Sequence, residues 1–504
     1  MANEQLDYLW QLYVSGEYQK ALEGYHSLVA KNDENLADAL ICSGYCYDAL
    51  ERKDNAFLSY LKAVEIAPNN PNSHSALACA YYEKGIIDKA EEHSKAALSL
   101  DENCITALVN MGNILDLQKN YEEALKYYQK AIEINSSYSD AYSNAASVLF
   151  SLERFDESLD YAQKAIEVNP KDVNGYINAG NALDALGKPY EAITAFNTAL
   201  ELDKDNFIVF NNLAGVYEKT EDFAKAGECY FKVITNNPSD NDNHLALGYL
   251  LYSMVTKKQI NEAQELAKKW ITAFPNNSVA LHMSAAIAVG QIPKRADDDY
   301  IKKLFDAFAP DFDRSLKAIE YQAPSLIAKA LNKKIPIKNS SYTILDAGCG
   351  TGLCSQYLKD YTKNGVLIGI DLSQGMLDKA KEKNMYDTLY QSEIVSFLTQ
   401  HKDEYDLIVS ADVFTYFGDL KNLFEGLFSA LKTNGTIFFT VTRRLKKSPL
   451  GYILNASGRF SHNIDYVIKT LEDCGFITVD FEEKELRKEA GEAVMGYIVS
   501  AEKS

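Results

Sequence analysis

The chain has 504 residues, of which 47% are hydrophobic and 24% charged, a length that excludes a single hydrophobic core. Its net charge of −20 includes −16 on residues 1–296, an acidity that repels nucleic acid and favours either a basic partner or simple solubility. No apolar run approaches the ~20 residues of a membrane span, so we expect a cytoplasmic protein without a membrane partner.

A period of 34 residues runs through the first 275 positions. Small residues recur at two points of each unit, where they let paired helices pack closely. The two series are Gly44, Ala78, Gly112, Ala146, Gly180, Ala214 and Gly248, and Ala21, Ala56, Ala90, Ala124, Ser158, Ala192 and Ala226. The pattern resembles the tetratricopeptide repeat, which implies an α-solenoid whose first helices line a concave groove. We count about eight repeats and a capping helix within residues 1–290.

Asparagines recur in the first helices of the middle repeats. A side-chain amide has a donor and an acceptor, so such a ladder could pair with the backbone of an extended peptide. Similar ladders line the repeats of O-linked N-acetylglucosamine transferases, although asparagine is also common at this position in the repeats generally. The candidate substrate-binding residues are Asn110, Asn144, Asn178 and Asn212, with Asn113 and Asn181 one turn further on.

The second half begins after a polar linker at residues 291–299. Two amphipathic helices follow within residues 300–335, where they could cover a ligand cleft of the domain that follows. Their aromatic side chains Phe308, Phe312 and Tyr321 either cover the substrate or simply pack the helices together.

A glycine-rich turn follows the apolar run TILDA at residues 343–347. The turn runs from Asp346 to Gly352, and Leu353 stands where a dinucleotide fingerprint requires glycine. S-adenosylmethionine has no pyrophosphate to bind, and a carboxylate before the turn suits its ammonium group. The predicted cofactor residues of the turn are Asp346, Gly348, Cys349, Gly350 and Gly352.

Acidic residues follow the next three predicted strands. Asp371, with Leu372 beside it, is placed for the ribose hydroxyls, Glu393 for the adenine amino group, and Asp412 for the lip of the cleft. Parallel strands alternating with helices, closed by an antiparallel hairpin, resemble the class I methyltransferase fold. This resemblance implies an α/β Rossmann-like domain over residues 300–504 with a seven-stranded sheet and S-adenosylmethionine as cofactor.

Stretches such as DVFTYFGDL (412–420) and SGRFSHNIDYV (457–467) resemble a bacterial group of predicted methyltransferases that carry tetratricopeptide repeats. That group has no settled substrate, so catalytic residues are proposed from chemistry alone. His462 is the best candidate base because its ordinary pKa suits proton abstraction, although a structural role is equally compatible. Arg459 could hold an acceptor carboxylate. The candidates together are Asp412, Tyr416, Arg459, His462 and Tyr466.

Three functions compete at this point. The first is a methyltransferase that recruits a protein or peptide through the repeat groove and methylates it. The second is a small-molecule methyltransferase, acting on a carboxylate, lipid or quinone-type acceptor, whose repeats serve docking or assembly. The third is a scaffold with a regulatory or inactive cofactor site, which the intact Asp346, glycine turn and Asp371 disfavour. The eight scattered cysteines lack metal-ligand spacing, so no metal is expected.

Overall fold

The computed structural model describes residues 2–30, 36–335, 341–445, 448–489 and 491–504. The chain divides into two compact units, Met1–Glu221 and Asp222–Ser504. Within the described ranges, no helix combines the length and apolarity that crossing a membrane requires.

The first unit consists of helices in antiparallel pairs, as the 34-residue period predicts. Small residues allow the close contact, since a Cβ added at Gly112 would lie 2.4 Å from the Tyr128 ring. The helices are α1 Ala2–Val14, α2 Tyr18–Ala30, α3 Leu36–Ala49, α4 Lys53–Ile66, α5 Pro71–Glu83, α6 Ile87–Leu100, α7 Ile105–Leu117, α8 Tyr121–Ile134, α9 Ser139–Ser151, α10 Phe155–Val168, α11 Val173–Ala185, α12 Pro189–Leu202 and α13 Phe207–Lys219.

The predicted asparagine ladder joins neighbouring repeats of this unit. Asn110 Nδ2 donates to the carbonyl of Ser75 at 2.9 Å, and Asn178 does the same to a carbonyl one repeat earlier. Asn144 Nδ2 instead donates to Asn113 Oδ1 at 2.9 Å, and Asn212 donates to Asn181 in the same way. One N–H of each of these four amides is therefore used between repeats, and peptide binding by the ladder stays a prediction.

The second unit starts with four helices that continue the repeat pattern: α14 Phe223–Asn236, α15 Asn241–Thr256, α16 Ile260–Ala273 and α17 Ser278–Ala286. Three more helices precede the sheet: α18 Asp298–Phe308, α19 Phe312–Ala318 and α20 Ala323–Lys334. The capping helix α17 is buried, and its His282 Nε2 lies 2.8 Å from the Gly458 carbonyl oxygen.

A seven-stranded sheet forms the centre of the second unit. Its strand order is β3-β2-β1-β4-β5-β9-β8, with β1 to β5 parallel and the last two antiparallel. The strands and helices are β1 Thr343–Ala347, α21 Ser355–Leu358, β2 Val366–Asp371, α22 Gln374–Glu382, β3 Thr388–Gln391, α23 Ile394–Leu398, β4 Tyr405–Ser410, α24 Lys421–Ala430, β5 Leu431–Thr442, β6 Tyr452–Leu454, β7 Phe460–His462, α25 Ile464–Asp473, β8 Phe476–Glu489 and β9 Glu492–Lys503. The predicted fold, an α-solenoid followed by an α/β domain with a terminal hairpin, is confirmed.

Two features exceed the prediction. The hairpin strands β8 and β9 are 14 and 12 residues long, well beyond the apolar cores that indicated them. The long insertion after β5 forms the ribbon β6–β7, whose Leu454 and Phe460 share a core cluster with Ala285 and Ala286 of α17.

Candidate functional site

The main cleft of the second unit lies where β1, β2 and β4 end, the edge at which open α/β sheets bind ligands. Its empty space, including the open mouth, is about 1070 Å³. The walls come from the glycine turn, the residues that follow β2, β3 and β4, the cover helices α18 to α20, and Arg459.

The glycine turn surrounds a buried carboxylate. Asp346 is 1% exposed and accepts a hydrogen bond from the Tyr386 hydroxyl at 2.6 Å. Burial raises the pKa of Asp346 to about 7, against a smaller opposing effect of Tyr386. Gly350 has a φ of +54°, and a Cβ added there would approach only Phe312, at 3.9 Å. The turn thus leaves open space beside a carboxylate that forms no ion pair with any of the described residues.

Asp371 fixes the turn from the next strand. Its Oδ2 accepts from Gly350 N and its Oδ1 from Ser373 N, both at 2.9 Å, and burial raises its pKa. Asp371 lines the cleft, and a carboxylate oxygen can accept a second hydrogen bond, as ribose hydroxyls would require. Cys349 and Leu372 also line the cleft, as predicted, whereas Gly352 is not among the lining residues and packs against Tyr386.

Glu393, the residue predicted to contact adenine, also lines the cleft. Its side chain caps a helix as well. Its two oxygens accept from Val395 N at 3.0 Å and Ser396 N at 2.7 Å, at the start of α23. The neighbours Ser392 and Ile394 line the cleft as well and were not predicted. Their position next to a predicted acid at a strand end was the available signal.

A network of charged side chains borders the cleft near Asp412. Arg487 is 2% exposed and holds both oxygens of Asp412, at 2.9 and 2.7 Å, and also donates to Glu489 at 2.9 Å. Glu489 in turn accepts from Arg459, whose Nε lies 3.5 Å from the Tyr416 hydroxyl. Asp412 is therefore paired, and it is Arg459 and Tyr416 that face the cavity with it.

Arg459 is a deeply placed cation that remains accessible. Burial by itself lowers its pKa, but Tyr416, Asp412 and Glu489 raise it well above its ordinary value, so the guanidinium stays charged. Its side chain keeps 32% of its surface exposed. A cation in this position can receive an anionic oxygen from the cavity.

The structure does not bring the other two catalytic candidates to the cleft. His462 is fully buried, its Nε2 lies 3.2 Å from the Gly418 carbonyl oxygen, and burial lowers its pKa to about 4. Tyr466 accepts a hydrogen bond from Leu420 N at 2.9 Å. Their rings stack with centroids 6.1 Å apart, between β7 and α25, and neither side chain lines the cleft. A histidine in a polar sequence offers no signal of such burial.

Several lining residues come from segments with no catalytic motif. Phe312 and Tyr321 of the cover segment line the cleft, while Phe308 lies outside it and contacts Tyr249 of α15 with ring centroids 6.2 Å apart. The predicted linker also contributes, through Arg295, Ala296 and Asp298. Throughout the described ranges, no cluster of three or more histidine, cysteine or acidic side chains is arranged to hold a metal ion.

Comparison with known families separates the two halves. Residues 344–435 match the family described as methyltransferase domain, and five stretches match families described as tetratricopeptide repeat, at residues 37–70, 59–92, 103–171, 173–206 and 209–240. The chain carries tetratricopeptide repeats followed by a methyltransferase domain. Repeats of this kind suggest protein–protein interaction.

Curated relatives match the methyltransferase part. A malonyl-[acyl-carrier protein] O-methyltransferase of Bacillus anthracis is 29% identical over 141 residues, covering 28% of this chain and 51% of the relative. The corresponding protein of Priestia megaterium is 30% identical and covers 28% and 50%, and human methyltransferase-like protein 27 is 37% identical and covers 18% and 38%. The chain therefore spans about half, or less, of the length of these relatives.

Solved repeat structures also align with this chain. The tetratricopeptide protein YrrB, described with an unusual peptide-binding site, is 26% identical over 40% of this chain and 97% of its own, with a TM-score of 0.30. MamA is 27% identical over 32% of this chain and 94% of its own, with a TM-score of 0.28.

Proposed function

We propose that this chain is an S-adenosylmethionine-dependent methyltransferase whose acceptor is a carboxylate, carried by a protein that the repeats recruit. The cofactor assignment is supported by Asp346, a buried carboxylate beside open space in the glycine turn. Asp346 would hold the cofactor's ammonium group, Asp371 its ribose hydroxyls, and the Glu393 region its adenine. When bound, S-adenosylmethionine supplies an electrophilic methyl group on a positively charged sulfur.

Arg459 is the observation that supports a carboxylate acceptor. It lines the cleft, is held by Glu489 and Tyr416, and keeps a third of its side chain accessible. A guanidinium there would orient a carboxylate for in-line attack on the methyl carbon. A carbon–oxygen bond would form as the carbon–sulfur bond breaks, and the bonding pair would stay on sulfur.

This chemistry requires no general base, because a carboxylate is already ionised at neutral pH. The described residues that line the cleft include neither histidine nor lysine, and the ionisable side chains nearest Arg459 are tyrosine and paired carboxylates. An amine or alcohol acceptor would need a proton acceptor at this position. The lining therefore favours ester formation over methylation of neutral nitrogen or oxygen.

Two observations support an acceptor carried by a protein. Repeats that suggest protein–protein interaction precede the methyltransferase domain in the same chain. The bacterial relatives are named for an acyl group attached to a carrier protein, which joins a carboxylate and a protein in one acceptor. A free carboxylate, with the repeats used only for docking or assembly, is the second candidate, and Arg459 would serve it equally well.

The test uses the full chain with methyl-labelled S-adenosylmethionine and three acceptor pools: lysate protein, malonyl-acyl-carrier protein, and the low-molecular-mass lysate fraction. Mild base releases volatile methanol from methyl esters only. Base-labile label on protein supports the proposal, and label confined to small molecules supports the second candidate. Base-stable label would rule out a carboxylate acceptor.

Variants of Arg459 sharpen this test. Arg459→Ala should reduce kcat/KM for the labelled acceptor about 100-fold, from the loss of ~3 kcal/mol of charge-assisted hydrogen bonding. Arg459→Lys should recover part of it, because a point charge remains. Arg314→Ala removes a cation with an 82% exposed side chain and should leave the rate unchanged. Equal effects of the Arg459 and Arg314 variants would contradict the assignment.

A further inference from the structure

Residues 294–298, which we call the strap, end the segment between α17 and α18 and include the first residue of α18; three of them line the cleft. Lys294 O accepts from Gly418 N at 2.8 Å, and Ala296 N donates to Tyr416 O at 2.8 Å. The strap backbone is thus hydrogen-bonded on both sides of residue 295 to the loop that contains Tyr416. This arrangement fixes where the side chain between them begins.

That side chain, Arg295, contacts Asp298 and Glu393, which both line the cleft. We call the part of the cleft beside Glu393, where the proposed adenine site lies, the nucleoside end. Its guanidinium donates twice to Asp298, at 2.6 and 3.2 Å, and its Nη1 lies 3.5 Å from Glu393 Oε1. The guanidinium carbon also lies 6.0 Å from the centre of the Phe417 ring. Arg295 keeps 40% of its side chain exposed, so several of its five N–H donors remain accessible.

The charged residues that line the cleft show which cation lies beside Glu393. The described lining residues include five carboxylates, Asp298, Asp346, Asp371, Glu393 and Asp412, and two cations, Arg295 and Arg459. Arg459 is engaged with Glu489, as described above. Arg295 is consequently the lining cation that offsets the negative charge of Asp298 and Glu393 at the nucleoside end.

We infer that Arg295 is a cofactor-positioning residue, which holds Glu393 in place and covers the nucleoside end of the cleft with a planar, donor-rich group. The inference rests on the proposed S-adenosylmethionine site. Glu393 shapes that end directly, because its carboxylate fixes the start of α23 and thereby the backbone at Ser392 and Ile394, which line the cleft. Arg295 acts on the same backbone through Glu393.

Calorimetric titration of the full chain with S-adenosylhomocysteine tests this role. Arg295→Ala should weaken binding about tenfold, the loss expected for one charge-assisted interaction. Arg295→Lys should recover part of the loss, because lysine retains the charge but not the fork. Glu393→Gln should also weaken binding, and the double variant should be no weaker than the worse single variant. Lys294→Ala is the matched control, since its side chain is 82% exposed on the same strap.

Additive losses in the double variant would overturn the inference, because they would mean that Arg295 does not act through Glu393. Wild-type affinity in Arg295→Ala would overturn it as well. If Arg295→Ala fails to fold, Arg295→Lys still decides: an affinity unchanged from wild type together with a weakened Glu393→Gln contradicts the role of the fork. Failure of the wild-type chain to bind would instead contradict the proposed cofactor site, for which Asp371→Ala is the separate probe.

Discussion

The buried pair Arg487–Asp412 gives the sharpest stability prediction. Arg487 is 2% exposed and is held by both oxygens of Asp412 and by Glu489. Arg487→Met keeps most of the side-chain volume but removes the directly hydrogen-bonded cation from Asp412, whose side chain is 13% exposed. Asp412 also has a φ of +60°, an uncommon conformation for a residue with a side chain, so its position depends on this anchoring.

Removing one partner of a buried ion pair costs about 3–5 kcal/mol, because the remaining charge stays desolvated. The value is near the upper part of this range here, since the guanidinium serves two carboxylates. The midpoint temperature for unfolding of the Asp222–Ser504 unit should therefore fall by roughly 8 °C or more. Adding Asp412→Asn should recover a large part of the loss, because it removes the unpaired charge.

Differential scanning calorimetry of the full chain measures this shift, with S-adenosylhomocysteine titrated into each variant. Lys488→Met is the control: it adjoins Arg487 but pairs with Glu320 at the surface, and it should leave the transition unchanged. A shift for Arg487→Met as small as that of Lys488→Met would refute the reasoning. So would a double variant that is less stable than Arg487→Met alone.

Three further predictions concern pH and the repeats. Burial raises the pKa of Asp346 to about 7, and only the ionised carboxylate can pair with the ligand's ammonium group. The affinity for S-adenosylhomocysteine should therefore fall about tenfold per pH unit below pH 7 and change little above it. Calorimetry from pH 5.5 to 8 tests this, and Asp346→Asn should remove the pH dependence. Burial lowers the pKa of His462 to about 4, so as the pH falls the unfolded chain takes up this proton before the folded chain does. The free energy of unfolding should therefore fall between pH 6.5 and pH 4. Chemical denaturation should show a smaller fall over this pH range for His462→Gln, and this variant should retain methyl transfer. Asn113 accepts from the Tyr128 hydroxyl and from Asn144, so Asn113→Ala should cost roughly 1–3 kcal/mol in unfolding of the Met1–Glu221 unit, and an unchanged transition would contradict a structural role for the ladder.

The fold was predictable because its signals are periodic. A 34-residue repeat and alternating strands and helices each recur several times, so single ambiguous positions do not change the result. The ends of elements were less predictable. Strands β8 and β9 extend into charged sequence, since their pairing with each other continues where the apolar pattern has stopped.

The site was predictable where it depends on local sequence and not where it depends on distant contacts. Asp346 and Asp371 lie near the carboxyl ends of the consecutive strands β1 and β2, and both line the cleft. The burial of His462 depends on a ribbon that packs against α17, and the pairing of Asp412 depends on Arg487, 75 residues away in the chain. Nothing in the local sequence of His462 or Asp412 specifies either contact.

The contacts of α17 and the strap bear on where the catalytic unit begins. His282 of α17 lies 2.8 Å from the carbonyl oxygen of Gly458, the residue before Arg459, and thirteen residues later Arg295 lies beside Glu393. One short segment therefore contacts both the loop that carries Arg459 and the carboxylate of Glu393. The compact unit that contains the cleft starts at Asp222, ahead of this segment. A fragment beginning after the strap would lack both contacts, so the packing around the cleft depends in part on α17.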